Sequence, residues 1–310
     1  MKFLIGLPTD EVEHGDEFTS GPAIVEMAQA AERLGYAGVF VTDHPMPPDA
    51  FLAKGGHHAL EPTVALAVVA AATTSLELLT NLYIVNYRNP FLAAKAIATL
   101  DAVSGGRVRM GTGAGYLEDE FKALGADFEN RNDVLDDTLA QMIAAWSGET
   151  VVASGPGYNA VGNTALPAPA TQPPIYLGGN SKRAIRRAAA IGQGWMPMGA
   201  PKHLARFVRT AAIETVADLR ERLEYLDEQL AANGRDEKLS IVISPWSAGR
   251  YGTDEFVADE FLAELHALAD VGVTHVPVNF AMPGTGGVGS RARFLELLDG
   301  FAQTIMTEAP

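Results

Sequence analysis

Short apolar stretches recur along the chain and alternate with amphipathic segments. Each stretch is apolar at almost every position, which is typical of strands that are covered on both faces. The predicted strands are 2–8, 37–44, 76–85, 107–115, 173–179, 194–199, 240–246 and 274–280. Eight strand–helix units predict a parallel sheet closed into a (β/α)8 TIM barrel, with 1–310 as one domain. An open doubly wound sheet is the rival, but no early strand is followed by a complete dinucleotide fingerprint.

The amphipathic segments carry recognisable helix boundaries. Asn89 and Pro90 predict a helix start, because Asn caps well and Pro fits the first turn. Further helices are predicted at 23–36, 131–148, 215–234, 254–272 and 290–305. By contrast, 149–173 is rich in Gly, Pro and Asn. This composition predicts an insertion between the fourth and fifth strands, with room for a small hairpin.

Charge and cysteine content narrow the function classes. The formal net charge is −15, which disfavours nucleic acid and anionic membranes as partners. The chain has no cysteine, so disulfides, iron–sulfur clusters, thiolate zinc sites and a cysteine nucleophile are excluded. The apolar run at the N-terminus is shorter than a signal-peptide core, and 64–79 is too short to span a bilayer. We therefore expect a cytoplasmic protein.

Candidate chemistry follows the second strand, because barrels of this kind hold reactive groups at the carboxyl ends of strands. Asp43 and His44 end that strand, and a histidine there can move a proton near neutral pH. The plainer alternative is a polar strand end that caps a loop. His57 and His58 lie on the loop that follows. They are adjacent and lack the i, i+4 spacing of a helical zinc pair, so no metal site is predicted.

Polar and glycine residues interrupt the next two strands. Thr80 and Asn81 lie within an apolar run and need partners, which either a ligand or an internal bulge can supply. Gly111, Gly113 and Gly115 end the fourth strand and leave its backbone open to a flat group. Their spacing matches only part of a Rossmann loop and is a weak signal alone.

The fifth strand ends in the sharpest motif of the sequence. Gly178 and Gly179 lead into a helix that Asn180 or Ser181 caps, so free amides and the positive end of the helix dipole point at one place. Basic residues follow within six positions, at Lys182, Arg183, Arg186 and Arg187. We predict a phosphate site here, and an ordinary capped helix with a solvated basic face is the alternative.

Two further features have a structural and a functional interpretation. The Gly-rich loop 282–291 is either a plain flexible loop or a lid or second anion site. Trp195 on the sixth strand either lines an apolar pocket or packs in the core, and the same holds for Met196, Met198 and Trp246.

With these residues in view, the chain resembles the bacterial luciferase-like family of flavin and deazaflavin oxidoreductases, and within it the branch that depends on coenzyme F420. The matching stretches are VTDHPMPP, GGHHALEP, YRNPFLAAKAIATLDAVSGGRVRMGTGAGYLEDEFKALG and PPIYLGGNSKRAIRRAA followed by GQGWMPM. They are spread over nearly the whole chain, and the run from YRNP to GTGAG is the most specific.

The resemblance implies a TIM barrel whose mouth holds the cofactor ring against a backbone bulge on the third strand. That bulge falls on Thr80, Asn81 and Leu82, where some relatives have a non-proline cis peptide. The resemblance also implies that Asp43 and His44 lie near the reactive ring. Residues implied to line the ring or to hold its phosphate are Gly111, Gly113, Ala114, Gly115, Tyr116, Gly178, Gly179, Asn180 and Ser181.

These implications define an expected function. We expect F420-dependent hydride transfer to or from an unidentified small organic substrate, with His44 exchanging a proton and Asp43 orienting His44 or the ring edge. The alternatives are an FMN-dependent monooxygenase, which needs a reductase partner, and a cofactor-binding protein without catalysis. Substrate contacts are expected among His57, His58, Arg88 and Trp195. Relatives are commonly homodimers, which is expected here too.

Overall fold

Strands form at every stretch where the apolar pattern predicts one. The computed structural model describes residues 1–280 and 287–310. Its strands are β1 (Lys2–Gly6), β2 (Gly38–Val41), β3 (Glu77–Thr80), β4 (Val108–Thr112), β5 (Val151–Gly155), β6 (Tyr158–Asn163), β7 (Ile175–Gly178), β8 (Gly194–Met196), β9 (Ser240–Ile241) and β10 (His275–Val278). All but β5 and β6 lie in one parallel sheet, in the order β10-β1-β2-β3-β4-β7-β8-β9.

Backbone hydrogen bonds between β9 and β10 close this sheet into a barrel. The amide of Thr274 donates to the Ile241 carbonyl at 3.0 Å, and that of Ile243 donates to the His275 carbonyl at 3.2 Å. A parallel bridge between Val242 and His275 lies at the same seam. The predicted TIM barrel is therefore confirmed. β9 is shorter than the predicted 240–246, and Pro245 has no N–H to continue a ladder.

The helices follow the strands and cover the outside of the barrel. They are α1 (Gly21–Arg33), α2 (Asp49–Leu52), α3 (Pro62–Ala72), α4 (Pro90–Ser104), α5 (Glu118–Ala123), α6 (Arg131–Trp146), α7 (Lys182–Ile191), α8 (Lys202–Phe207), α9 (Val216–Ala232), α10 (Ala258–Asp270) and α11 (Arg291–Phe301). Short 3-10 turns span Val12–Glu17, Val85–Tyr87 and Ala248–Arg250, and a π turn, Ala302–Met306, extends α11. Among the described helices, none combines the length and apolar character that a membrane crossing requires.

Local sequence explains where α4 begins and ends. The Asn89 side chain accepts from the amides of Phe91 and Leu92, and Pro90 occupies the first turn. At the other end Gly105 adopts a left-handed φ of 70°, which stops the helix at little cost. The predicted helix start is confirmed.

The predicted insertion contains a hairpin on the outside of the barrel. β5 and β6 pair antiparallel, and the rest of 149–173 has no regular secondary structure. The Tyr158 hydroxyl donates to both carboxylate oxygens of Asp137, at 2.9 and 2.8 Å. The Asn89 side chain donates to the Gly157 carbonyl at 3.0 Å. The hairpin is thus held against α6 and the start of α4.

Two apolar layers stabilise this architecture. The larger lies between the sheet and the helices, and the smaller fills the barrel with Leu4, Phe40, Leu79, Tyr176, Met196 and Val242. Since side chains fill its interior, the barrel leaves only its mouth for chemistry.

Residues 281–286 of the Gly-rich loop lie outside the described residues. In the described part, the amide of Val288 donates to Glu11 at 2.8 Å, and that of Arg291 donates to Glu17 at 2.8 Å. Carboxylates of the protein itself therefore occupy these two amides, which does not fit an anion site there.

Candidate active site at the barrel mouth

A buried carboxylate fixes His44 where β2 opens into the mouth. Nδ1 of His44 lies 3.1 Å from Oε2 of Glu120, whose side chain is fully buried on α5. The same carboxylate accepts the Met46 amide and the Tyr87 hydroxyl, both at 3.0 Å. Three donors from two separate segments therefore meet at this carboxylate.

The protonation of Glu120 determines which ring nitrogen of His44 is free. Burial favours the neutral acid, but hydrogen bonds from His44, Met46 and Tyr87 hold the pKa of Glu120 below its ordinary value. An ionised carboxylate only accepts hydrogen bonds, so Nδ1 of His44 carries the proton that it donates. Nε2 is then left to exchange a proton with another molecule.

Glu120 was missed by the sequence reasoning. It lies in the acidic run Glu118-Asp119-Glu120, which is typical of a solvated helix start. Only one of these three side chains is buried, and its partner His44 is 76 positions away. The available signal was the neighbouring Phe121, which is also fully buried and marks the inward face of α5.

Asp43 makes no hydrogen bond to His44, so the expectation that it orients His44 is wrong, and its role at the ring edge stays a prediction. Its carboxylate accepts both terminal nitrogens of Arg88, at 2.7 and 3.0 Å, and the amide of Ile84 at 2.8 Å. Burial raises the pKa of Asp43, and the adjacent guanidinium opposes that rise. Arg88 also lies over the Tyr83 ring at 4.0 Å. Because its charge is used inside the protein, Arg88 is a poor candidate for substrate binding.

A second acid, Asp10, faces the same cluster from the loop after β1. Its carboxylate lies 3.8 Å from Nδ1 of His57, which also lies 2.7 Å from the His58 carbonyl oxygen. Burial raises the pKa of Asp10 to about 6, and burial lowers the pKa of His57. Asp10 was not predicted from the sequence, because no motif distinguishes it. His58 itself is exposed.

Aromatic rings surround His44 and form what we call the aromatic wall, consisting of Phe51, His57, Tyr116 and Phe207. Ring centroids of Phe51 and His57 lie 5.2 and 5.0 Å from that of His44, and Tyr116 lies at 6.1 Å. Phe207 stacks on Phe51 at 6.5 Å with nearly parallel planes and contacts Tyr116 edge-on at 5.8 Å. Such a wall suits a flat apolar ligand.

The third strand ends in a bulge at the expected position. The peptide bond between Asn81 and Leu82 is cis. Thr80 is fully buried and donates to the Gly111 carbonyl at 2.8 Å, so the protein itself satisfies its hydroxyl. Thr80 is therefore not a ligand contact, whereas Asn81 and Leu82 are half-buried at the mouth.

The space beside the glycines of β4 and β7 is filled by other atoms of the protein, not left open for a ligand. A Cβ at Gly113 would lie 2.9 Å from the Leu82 side chain, and one at Gly178 would be closer still. A Cβ at Gly111 would press on the Thr80 carbonyl oxygen. Their absent side chains leave space for the Leu82 side chain against β4 and β7. In contrast to the buried Gly111 and Gly113, the next residues Ala114, Gly115 and Tyr116 are partly exposed at the mouth.

The start of α7 differs in part from the predicted phosphate site. The amide of Gly179 donates to the Met196 carbonyl at 3.3 Å, and that of Asn180 donates to the Thr210 hydroxyl at 2.8 Å. Asn180 is fully buried, and its side chain also hydrogen-bonds to backbone atoms. These two amides are therefore occupied. Ser181 caps the helix by accepting from Ala184 at 3.2 Å.

The amides that remain begin at Ser181, the last residue of the predicted site Gly178–Ser181. Within the described residues, the N–H groups of Ser181, Lys182 and Arg183 donate to no protein acceptor. They form the exposed first turn of α7, where the positive end of the helix dipole lies. An anion can therefore be held at Ser181–Arg183.

The basic side chains of α7 do not point at that anion site. Arg183 pairs with Asp133 and Asp136, and Arg187 pairs with Asp136. The other two basic residues face α9, since Lys182 lies over the Tyr225 ring and Arg186 donates to its hydroxyl. The cluster therefore joins α7 to α6 and α9.

Trp195 is a structural residue. Its side chain is fully buried, and its indole nitrogen donates to the Gly179 carbonyl at 2.9 Å. This bond fixes the turn before α7, so Trp195 is not available to substrate.

The described residues also contain no group of three or more His, Asp or Glu side chains arranged to hold a metal ion.

Comparison with known proteins identifies the family. The sequence profile of the luciferase-like monooxygenases matches residues 1–250. The chain belongs to this family, whose members are oxidoreductases and monooxygenases.

Relatives by sequence include proteins named for F420. The F420-dependent glucose-6-phosphate dehydrogenase of Beutenbergia cavernae is 28% identical over 250 residues, covering 77% of this chain and 73% of that protein. An uncharacterised protein of Mycobacterium bovis is 26% identical over 317 residues, covering 95% and 98%.

Two solved structures share the fold over the whole chain. An F420-dependent secondary alcohol dehydrogenase, in complex with an F420-acetone adduct, superimposes with a TM-score of 0.72 at 18% identity and full coverage of both chains. The oxygenating constituent of 3,6-diketocamphane monooxygenase from Pseudomonas putida, in complex with FMN, also gives 0.72, at 15% identity and coverage of 100% and 98%. The F420 and FMN proteins therefore fit the fold equally well.

Proposed function

We propose that this protein is an F420-dependent oxidoreductase that transfers hydride to or from a small organic substrate. The observation that carries the proposal is the pairing of His44 with the buried Glu120 at the barrel mouth. A histidine with one nitrogen fixed by an ionised acid and the other free is suited to moving a single proton during a redox reaction.

The residues at the mouth fit a cofactor with a flat head and a phosphate. The half-buried Leu82 packs over the glycines at the strand ends, and the aromatic wall surrounds His44 at the same mouth. Free amides at Ser181–Arg183 suit the phosphate. Ala114, Gly115 and Tyr116 would line the ring.

When bound, a deazaflavin accepts or donates a hydride at its ring carbon C5. His44 then has a defined task. As hydride leaves a carbon that bears a hydroxyl, Nε2 of His44 takes the hydroxyl proton, and in the reverse direction it returns that proton. Glu120 holds the ring and stabilises the imidazolium that forms. The wall excludes water from the reacting atoms.

F420 is favoured over FMN by the sequence relatives, since curated relatives over half or more of the chain are named for F420. The alternative is an FMN-dependent monooxygenase that uses reduced flavin and oxygen, which the FMN-bound neighbour of equal TM-score supports. Such an enzyme needs a reductase partner to supply reduced flavin.

Titration of the purified apoprotein with F420 and with FMN tests the proposal. We expect saturable F420 binding, weaker FMN binding, and reduction of bound F420 by a member of a panel of secondary alcohols or sugar phosphates. The His44→Ala variant should bind F420 but turn over about 10²–10⁴-fold more slowly. Full turnover by this variant would refute the role of His44. Tight F420 binding with no turnover on any substrate would favour a cofactor carrier.

A further inference from the structure

Two arginines meet at one phenylalanine on the rim of the barrel mouth. The guanidinium carbon of Arg131 lies 4.2 Å from the Phe128 ring centroid, and that of Arg209 lies 4.6 Å from the same centroid. We call Arg131 and Arg209 the arginine pair. Two like charges at one ring repel each other unless an anion joins them, and the remainder of the protein is strongly acidic.

The sequence neighbours of both arginines bind the segment 180–183, which contains the free amides of α7. Arg209 precedes Thr210, whose hydroxyl accepts the Asn180 amide. Arg131 begins α6, whose Asp133 pairs with Arg183 in the first turn of α7. Each arginine is therefore within two residues of a group bonded to that segment.

The charge of Arg131 has no partner in the described residues. Its guanidinium donates to the Phe128 carbonyl at 2.9 Å, and no carboxylate among the described residues lies within ion-pair distance. Burial and the nearby Arg209 lower the pKa of Arg131. Arg209 is half-exposed and contacts Glu118 at 3.3 Å, but Lys122 holds Glu118 more closely, at 3.0 Å. Arg209 can therefore exchange Glu118 for a ligand at little cost.

We propose that Arg131 and Arg209 bind the anionic chain that extends from the phosphate of the cofactor, on the outer side of the Ser181–Arg183 amides. The inference rests on the proposed function and deepens it, because a second anionic group suits F420, whose phosphate carries a chain of carboxylates, and has no counterpart in FMN. The loop of Phe207 and Arg209 would then contact both ends of one ligand.

The test compares F420 with FO, the deazaflavin that lacks both phosphate and carboxylate chain, by fluorescence titration. We expect Arg131→Gln and Arg209→Gln each to raise the Kd for F420 about tenfold or more, because each removes a charge-assisted contact. The Kd for FO should not change. Added salt should weaken F420 binding to the native protein more than to either variant. Arg186→Gln is the matched control, since this exposed arginine contacts Tyr225 instead.

Several outcomes would overturn the inference. An unchanged Kd for F420 in both variants removes the arginine pair from the site. If the glutamine variants lose affinity for F420 and FO equally, the substitutions have distorted the mouth and the arginines do not bind the anionic chain. In that case the charge-retaining Arg131→Lys variant should also bind F420 weakly. If the native protein binds neither F420 nor FMN, the proposed function fails and the inference fails with it.

Discussion

Replacing Glu120 with Gln tests the structural basis of the proposed chemistry without requiring the substrate. The change keeps the size of the side chain and removes its charge. Glu120 accepts three hydrogen bonds, from His44, Met46 and Tyr87. A glutamine offers one acceptor oxygen and a donor nitrogen, so at least one of the three donors loses its acceptor in a fully buried place.

The expected magnitudes follow from this count. A hydrogen bond to a charged group contributes about 1.5–3 kcal/mol, and glutamine keeps part of the set, so unfolding should become easier by about 2–4 kcal/mol. The larger effect is on His44. Its Nδ1 would face a donor nitrogen, which favours moving the proton to Nε2 and removes the base. Turnover should fall about 10²–10⁴-fold.

Nitrogen NMR of histidine-labelled protein is the direct assay. The chain has seven histidines, and the His44→Gln variant assigns the relevant signal. In the native protein Nδ1 of His44 should carry a proton at every pH where the protein is folded and Glu120 is ionised. In Glu120→Gln the proton should move to Nε2. Asp119→Asn, an exposed change on the same helix, should alter neither signal nor stability. An unchanged His44 signal in Glu120→Gln would refute the reasoning.

Three further predictions concern the frame around the site. Gly111→Ala should lower the free energy of unfolding by about 3 kcal/mol in chemical denaturation, because its Cβ would press on the Thr80 carbonyl. The control Gly21→Ala has open space around it and should be neutral or slightly stabilising. Equal stabilities of the two variants would contradict the packing at Gly111. Asn180→Ala should cost about 2–4 kcal/mol, since three side-chain hydrogen bonds to backbone atoms are lost in a buried place, and a smaller loss would show water replacing them. Burial raises the pKa of Asp10 to about 6, against 3.8 in the unfolded chain. Ionisation of Asp10 therefore destabilises the folded protein by up to about 3 kcal/mol, and this destabilisation is absent below pH 4 and complete above about pH 6. Asp10→Asn should therefore match the native protein at pH 4 and exceed its stability at pH 7, and a constant difference across that range would contradict the burial of Asp10.

The sequence predicted those parts of the fold that local chemistry determines. Each barrel strand is a continuous apolar run, and the α4 cap needs only Asn89, Pro90 and Gly105. The hairpin was only suggested, since turn formers mark a loop but not its pairing. α3 was not predicted as a helix because Pro62–Ala72 is apolar on most faces and lacks a clear period.

The candidate site was less predictable because its contacts are long-range. His44 was identified from its position at a strand end, but Glu120 depends on which acid of an acidic run is buried. Arg88 was a substrate candidate as a charged group near a strand end, and Trp195 was one as a possible wall of an apolar pocket. Each instead has a partner far along the chain, Asp43 for one and the Gly179 carbonyl for the other.

The central claim is that an anionic deazaflavin binds the mouth between His44 and the start of α7. Expression in a host that makes F420, followed by the absorbance and mass of what copurifies with the native protein, tests it most directly. We predict that one F420 copurifies with each chain. Added F420 should exchange with the bound cofactor, whereas FO at the same concentration should not displace it. Copurification of FMN instead of F420 would contradict this claim. Folded protein that copurifies with no cofactor, and that binds neither F420 nor FMN on titration, would contradict it as well.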